Sequence, residues 1–170
     1  MEHTNKEQNI NIWQQNVNKS PACQHDLISS SKLLEAEINI VTLQEPAVNY
    51  FDKTIASRDW IVLYPTTHME NPTKTRSIIL IQAVFCTDNW LQIDFPSGDV
   101  TAVQLTGAWG KLTIFNIYND CKHNRTITAL LKFQHKHVNQ LERVLQGLAH
   151  IIWLGDFNRH HLHWDKPDNT

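Results

Sequence analysis

The stretch Ile38-Asn39-Ile40-Val41-Thr42-Leu43-Gln44-Glu45-Pro46 decides the fold, because an apolar strand runs directly into a carboxylate and then a proline. The same pattern recurs near the end of the chain, in Ile151-Ile152-Trp153-Leu154-Gly155-Asp156-Phe157-Asn158. Two strands that each end in an acid can bring two oxygen ligands to one metal ion at the rim of a sheet. A single acid in this position more often only marks where a strand leaves the core, but two of them favour a catalytic site.

The composition indicates one domain with a core of its own and no strong electrostatic field. The chain has 170 residues, of which 41% are hydrophobic, and a formal net charge of -2. A nucleic acid would therefore be bound through a local patch or a metal ion rather than through a global positive field. The N-terminus lacks an apolar region and no apolar run could cross a bilayer, so we expect neither a signal peptide nor a membrane span. The cysteines have no disulfide or metal spacing and suit a reducing, intracellular compartment: Cys23, Cys86 and Cys121.

The periodicity of apolar residues predicts a layered α/β fold with a mixed sheet. Residues 1–9 are polar and are predicted to be flexible, whereas residues 10–170 are predicted to form the domain. Strands are predicted at 10–15, 38–44, 60–64, 77–85, 90–95, 100–105, 112–118 and 150–155.

Two helices complete the predicted fold. Pro21 begins a helix that is predicted to run to about Glu37, with leucines that include Leu34 facing the core. A longer helix is predicted to begin at Asn124 and to end near Gly147, and its apolar stripe, which includes Leu131, is predicted to be core.

Four predicted strands end in polar residues that a hydrolytic site could use. These segments are Gln15-Asn16-Val17-Asn18, Gln44-Glu45-Pro46, Asn116-Ile117-Tyr118-Asn119-Asp120 and Gly155-Asp156-Phe157-Asn158. Strand alternation places Asn16 and Asn18 on the same side of the chain, although a simple turn is the better explanation of that segment when it is taken alone. In the fourth segment, Gly155 allows the backbone to approach a ligand closely.

The ordered set of segments resembles the endonuclease/exonuclease/phosphatase family, whose fold is that of DNase I and the apurinic endonucleases. The matching pieces are Trp13-Gln14-Gln15-Asn16-Val17-Asn18, Leu43-Gln44-Glu45-Pro46, Asn116-Ile117-Tyr118-Asn119 and Gly155-Asp156-Phe157-Asn158. They extend from about residue 10 to the end of the chain. The continuation Arg159-His160-His161-Leu162-His163-Trp164-Asp165 resembles, more specifically, the endonuclease domains of non-LTR (LINE-like) retrotransposons. The resemblance implies a four-layer α/β/β/α sandwich of the DNase I type.

The resemblance also implies roles for individual residues around a divalent ion. Glu45 would hold Mg²⁺, with Mn²⁺ as a substitute, and Asn18 and Asn16 would lie near it. Asp156 would orient and deprotonate the attacking water. A hard cation of this kind takes carboxylate oxygen and neutralises the charge that develops on a phosphate.

Phosphate contacts are predicted from a second group of residues. The resemblance assigns the scissile phosphate to Asn158 and Tyr118, and we predict further substrate contacts at Arg76, Arg159 and His160. Other basic residues in or beside predicted rim loops are candidate phosphate contacts, although ordinary surface charge is the better explanation for any single one of them: Lys19, Lys74, Lys122 and Arg125. The cluster of His160, His161 and His163 could bind zinc, but solvated loop histidines are the better explanation, and Trp164 could either stack on a base or pack internally.

The implied function is a magnesium-dependent endonuclease that nicks target DNA in the nucleus for retrotransposition, with a reverse transcriptase domain following in the parent polyprotein. A phosphatase of the same fold and a catalytically inactive remnant are the alternatives. The family ends in a Ser-Asp-His segment, and no such segment occurs in this sequence. We therefore expect a domain that is incomplete at its C-terminus, with low nuclease activity, low stability and a tendency to self-associate.

Overall fold

Eight strands and three helices make up the part of the chain that the computed structural model describes, residues 9–85, 87–107, 110–141 and 149–158. In chain order they are β1 (Ile12–Asn16), α1 (Pro21–Ser29), α2 (Ser31–Glu35), β2 (Ile40–Gln44), β3 (Trp60–Leu63), β4 (Ser77–Gln82), β5 (Trp90–Ile93), β6 (Val100–Gly107), β7 (Gly110–Tyr118), α3 (Arg125–Leu141) and β8 (Ala149–Asp156). Short 3-10 turns lie at Pro72–Lys74 and Thr87–Asn89. Of the segment that we predicted to be flexible, residues 1–9, only residue 9 lies within the described residues.

The strands form two four-stranded mixed sheets. The first sheet has the order β1-β2-β4-β3 and the second β5-β6-β7-β8. Each sheet contains one parallel pair, β1 with β2 and β7 with β8, and the other neighbours are antiparallel. Parallel neighbours end at the same edge, so Asn16 lies beside Gln44 and Tyr118 beside Asp156.

Three apolar clusters hold the layers together. One packs α1 and α2, through Ile28 and Leu33, on the outer face of the first sheet. A second fills the space between the sheets and includes Ile40 and Ile114. A third packs Leu130 of α3 on the outer face of the second sheet. Strand alternation explains this arrangement, because successive residues of each strand point to opposite faces. The predicted four-layer α/β/β/α sandwich is confirmed.

The layer between the sheets becomes polar toward the end where β2 and β7 terminate. Gln44, Ser77, Thr101 and Asn116 are all fully buried there. The side-chain amide of Gln44 donates to the side-chain oxygen of Asn116, and Asn116 donates to two carbonyl oxygens of the first sheet at 2.7 and 2.9 Å. Ser77 and Thr101 are joined by a hydroxyl contact of 2.9 Å. A buried polar group without a partner costs about 1–3 kcal/mol, so this polar layer fixes the register of the two sheets.

The predicted helix from Pro21 to about Glu37 is wrong, because the chain forms two short helices instead. Ser30 adopts an extended conformation with φ -73° and ψ 130°, and its hydroxyl accepts a hydrogen bond from the Lys32 amide at 3.2 Å. Ser30 therefore ends α1 and caps α2. The break changes the helical phase, and Leu34, which we predicted to face the core, is 49% exposed.

The longer helix matches the prediction in its start but not in all of its core residues. Leu130 is fully buried, whereas its neighbour Leu131 is 55% exposed, because adjacent residues of a helix point about 100° apart. The predicted end near Gly147 lies outside the described residues. None of the helices in the described ranges has both the length and the apolar character that a bilayer span requires.

Candidate active site

The ends of the two parallel strand pairs meet at one rim of the sandwich and bring residues of both sheets together. The side-chain amide of Asn16, at the end of β1, donates to Asp156 Oδ2, at the end of β8, at 2.8 Å. The Tyr118 hydroxyl, at the end of β7, lies near the Glu45 carboxylate, which follows β2 and whose negative charge raises the pKa of Tyr118. One hydrogen bond and one close approach between the sheets thus gather four of the predicted site residues.

The backbone around Glu45 is held in a sparsely populated conformation. Six non-glycine residues in the described part have positive φ, and four of them lie at this rim: Asn18 at 47°, Lys19 at 54°, Glu45 at 48° and Asn158 at 44°. The Glu45 amide donates to the Arg76 carbonyl oxygen at 2.8 Å, and its own carbonyl oxygen accepts from the Lys19 amide at 2.7 Å. Such residues cost on the order of 1–3 kcal/mol each and gather at functional sites, where surrounding contacts hold them.

Asp156 is oriented by hydrogen bonds to both of its carboxylate oxygens. Oδ2 accepts from Asn16, and Oδ1 accepts from the Asn158 amide at 3.0 Å. Asn158 is held in turn, because its side-chain nitrogen donates to the Asn119 carbonyl oxygen at 2.8 Å. These bonds leave the Asp156 carboxylate little rotational freedom.

Asn119 is a residue of this rim that we did not predict as a site residue. Its amide donates to the Asp156 carbonyl oxygen at 2.8 Å, and its side-chain nitrogen donates to the Phe157 carbonyl oxygen at 2.9 Å. Asn119 Oδ1 is buried and has no hydrogen-bond partner within the described part of the chain. Its place at the end of Asn116-Ile117-Tyr118-Asn119 was the signal in the sequence.

Gly155 lets β8 approach β7 closely just before Asp156. Its φ is 141°, and a Cβ atom at this position would lie only 1.9 Å from the Ile117 carbonyl oxygen. No L-residue with a side chain fits both conditions. We predicted close backbone approach to a ligand at Gly155, but the backbone approaches the neighbouring strand instead.

Arg76 is paired with two carboxylates, and its 25% exposed side chain also lines a cavity of about 630 Å³. Its Nε donates to Asp99 Oδ1 at 2.7 Å, and its Nη1 donates to Asp120 Oδ2 at 3.0 Å. The guanidinium carbon lies 4.6 Å from the centre of the Tyr118 ring. Burial alone would lower the pKa of Arg76, but the two carboxylates outweigh burial and raise this pKa above its ordinary value. The substrate contact that we predicted for Arg76 stays a prediction.

The pKa values of Tyr118 and Asp120, the ionisable neighbours of Arg76, are shifted as well. Burial raises the pKa of Tyr118, and the negative charge of Glu45 raises it further, while Arg76 opposes the change. Tyr118 is therefore a neutral hydrogen-bond donor at neutral pH. The Lys122 amide and Arg76 both donate to Asp120 and lower the pKa of that carboxyl group.

The other predicted phosphate contacts are spread over the rim and beyond it. Lys74 lines a cavity of about 630 Å³ together with polar residues that include Thr67, Asn71 and Ser97. Arg125 lines a second cavity of about 450 Å³ at the start of α3. The following predicted residues lie outside the described residues: Arg159, His160, His161, His163 and Trp164.

The side chains at the rim fit a magnesium ion held in an open site. All candidate donors are carboxylate or amide oxygens, which a hard cation prefers. Within the described ranges, no group of three or more His, Cys, Asp or Glu side chains is arranged to enclose a metal. Mg²⁺ is usually bound through one or two carboxylates, with waters and substrate phosphate as the remaining ligands. Glu45, with Asn18 beside it in the loop after β1, suits that mode of binding.

Several solved structures share this fold. The endonuclease domain of TRAS1, a telomere-specific non-LTR retrotransposon, matches with a TM-score of 0.62 at 18% identity, over 92% of this chain and 62% of that one. The AP endonuclease LMAP from Leishmania major matches with a TM-score of 0.62 at 10% identity, over 86% and 54% of the two chains. TDP2 from C. elegans matches with a TM-score of 0.55 at 15% identity, over 94% and 51%.

These similarities establish the DNase I-like fold that the sequence predicted. The chain spans about half to two thirds of the length of these solved structures, between 51% and 62%. No protein-family model and no curated protein matches the sequence.

Proposed function

We propose that this domain is a metal-dependent phosphodiesterase that nicks DNA. The observation that carries the proposal is the hydrogen bond between the sheets from Asn16 to Asp156, which brings an amide and an acid together at the rim where Tyr118 and Glu45 also lie close to each other. Fold alone does not determine function, so the proposal depends on these side chains and not on the fold.

Asp156 is the proposed general base for the attacking water. Its two oxygens are oriented by Asn16 and Asn158, and each carboxylate oxygen retains capacity to accept a further hydrogen bond. A positioned base of this kind contributes roughly 10²–10⁴-fold in rate. The orientation by two neighbours is what a fixed water position requires.

Asn158 and Tyr118 are the proposed phosphate contacts. Asn158 uses its side-chain amide to donate to the Asn119 carbonyl oxygen, and the second N–H of that amide can reach a phosphate oxygen. Tyr118 is a neutral donor, because its pKa is raised. Neutral donors can hold a phosphate oxygen without the desolvation cost of a further charge.

Glu45, with Asn18 near it, is the proposed magnesium ligand. A bound Mg²⁺ would neutralise negative charge on the phosphate and stabilise the leaving oxyanion. The rim is suited to a cation, because Glu45, Asp99 and Asp120 together carry more negative charge than Arg76 can balance.

We further propose that the DNA is the target of a non-LTR retrotransposon, nicked in the nucleus by a protein that also carries a reverse transcriptase. The resemblance of Gly155-Asp156-Phe157-Asn158 and the residues after it supports this proposal, as does the fold shared with the TRAS1 endonuclease domain.

A plasmid-nicking assay with Mg²⁺ tests the proposal. Wild-type protein should convert supercoiled DNA to the open circular form, and Asp156→Asn should reduce the single-turnover rate by roughly 10²–10⁴-fold. Asp26→Asn is the matched control, because the Asp26 side chain is 85% exposed on α1 and should leave the rate unchanged. Equal nicking by wild type and Asp156→Asn would overturn the proposed role. Hydrolysis of a small phosphomonoester without DNA nicking would favour the phosphatase alternative.

A further inference from the structure

We propose that Arg76 is a positioning residue, which holds the Tyr118 ring beside Glu45, and that it is not a phosphate contact. This inference rests on the proposed function, because Glu45 is the proposed metal ligand. It also replaces the substrate-binding role that the sequence suggested for Arg76 with a different one.

The first support is that two N–H groups of the Arg76 guanidinium, on Nε and Nη1, already donate to carboxylates. Asp99 and Asp120 accept from Nε and Nη1, at 2.7 and 3.0 Å. The side chains of Arg76, Asp99 and Asp120 are 25%, 15% and 22% exposed, so these pairs are partly shielded from solvent. A DNA phosphate would have to displace a carboxylate to reach the same N–H groups.

The second support is that the carboxylates themselves are fixed from elsewhere in the fold. Asp99 Oδ2 accepts from the Thr126 hydroxyl of α3 at 2.9 Å. Asp120 Oδ1 accepts from the Lys122 amide at 2.8 Å. The acceptors that hold Arg76 are therefore rigid before any ligand binds, which is the requirement for a positioning residue.

The third support is that the cluster is tied to both sheets through the backbone. The Arg76 amide donates to the Gly98 carbonyl oxygen at 2.8 Å, and the Tyr118 amide donates to the Asp99 carbonyl oxygen at 2.8 Å. Asp99 thus contacts Arg76 through its carboxylate and Tyr118 through its carbonyl group. The guanidinium then lies 4.6 Å from the Tyr118 ring centre, within the range of a cation–π contact.

The last link connects this cluster to the proposed metal ligand by two routes. The Glu45 amide donates to the Arg76 carbonyl oxygen at 2.8 Å, and the Tyr118 hydroxyl lies close enough to the Glu45 carboxylate for the charge of Glu45 to raise the pKa of Tyr118. Arg76 therefore contacts the Glu45 backbone directly and its side chain through Tyr118. Loss of the guanidinium should free the Tyr118 ring and, with it, the Glu45 carboxylate.

DNA binding at several salt concentrations distinguishes the two roles of Arg76. Each phosphate contact contributes about -0.9 to the slope of log K against log salt for duplex DNA. In EDTA, where hydrolysis does not occur, Arg76→Gln should leave this slope unchanged. A slope that is smaller in magnitude by about one unit would identify Arg76 as a phosphate contact and overturn the inference.

A double-mutant cycle on Mn²⁺ affinity, measured by calorimetry, tests the route through Tyr118. Arg76→Gln should weaken Mn²⁺ binding several-fold in the wild-type background and have no further effect when Tyr118→Phe is already present. Additive effects of the two substitutions would overturn the inference. Circular dichroism melting establishes that each variant folds, and Arg58→Gln, a change at an exposed arginine, is the matched control.

The two proposals fail in different ways. If wild-type protein binds Mn²⁺ but does not nick DNA, the proposed endonuclease function fails, whereas the cycle still decides the role of Arg76. If Asp156 is required for nicking but the Arg76 and Tyr118 substitutions act additively, the endonuclease function stands and the positioning role is overturned.

Discussion

Replacing Gly155 by alanine should destabilise the domain strongly, because two separate penalties meet at this residue. The backbone φ of 141° is rarely adopted by an L-residue, and such a conformation costs on the order of 1–3 kcal/mol. The added Cβ would lie 1.9 Å from the Ile117 carbonyl oxygen. Ordinary contact needs about 3.5 Å, so β7 and β8 would have to separate by roughly 1.5 Å, and such overpacking costs typically about 1–3 kcal/mol.

The sum, about 2–6 kcal/mol, predicts a fall in melting temperature of roughly 4–24 °C for a chain of this length. Gly98→Ala is an informative comparison, because its Cβ would lie 2.4 Å from the Lys74 carbonyl oxygen but its φ is not in the left-handed region. Gly98→Ala should therefore lower the free energy of unfolding less than Gly155→Ala does. The expected difference is about the 1–3 kcal/mol that the positive φ of Gly155 adds. Calorimetric melting of both variants measures the difference. A Gly155→Ala protein that melts within about 2 °C of wild type would refute the close approach of the two strands.

Three further predictions follow from the buried polar layer and the rim. Asn116→Leu should cost about 1–3 kcal/mol in urea unfolding, because it leaves the Gln44 side-chain amide buried without its acceptor, whereas exposed Asn89→Leu should cost little. Glu45→Gln should weaken Mn²⁺ binding in calorimetry without lowering the melting temperature, and unchanged affinity would exclude Glu45 as a ligand. Asp120 has a pKa below its ordinary value, so its stabilising contribution is complete above about pH 4 and is lost as pH falls through the folded-state pKa. Asp120→Asn should therefore flatten the acid limb of a stability–pH profile, and an unchanged limb would contradict the ion pair with Arg76.

Most of the strands could be predicted from the sequence, because their signal is local. In β2, Val41 and Leu43 face the helices while Ile40 faces the second sheet, which is the alternation that a strand between two apolar layers must have. The helix break at Ser30 could not be predicted in the same way. A serine within an apolar stripe is compatible with either a helix interior or a cap, and only the extended ψ of Ser30 decided between them.

The sequence by itself determined which residues could form a site, since each candidate acid, amide or phenol stands at the end of an apolar strand or directly after it: Asn16, Glu45, Tyr118 and Asp156. Only the tertiary structure decided their partners. Asn16 and Asp156 are 140 residues apart, and Arg76 is separated from Asp99 and Asp120 by 23 and 44 residues. Sequence patterns report on the faces of single elements, whereas these contacts depend on how two sheets are stacked and in which register. The positive charge of Arg76 is balanced because of that stacking, since carboxylates from two separate loops converge on its guanidinium group.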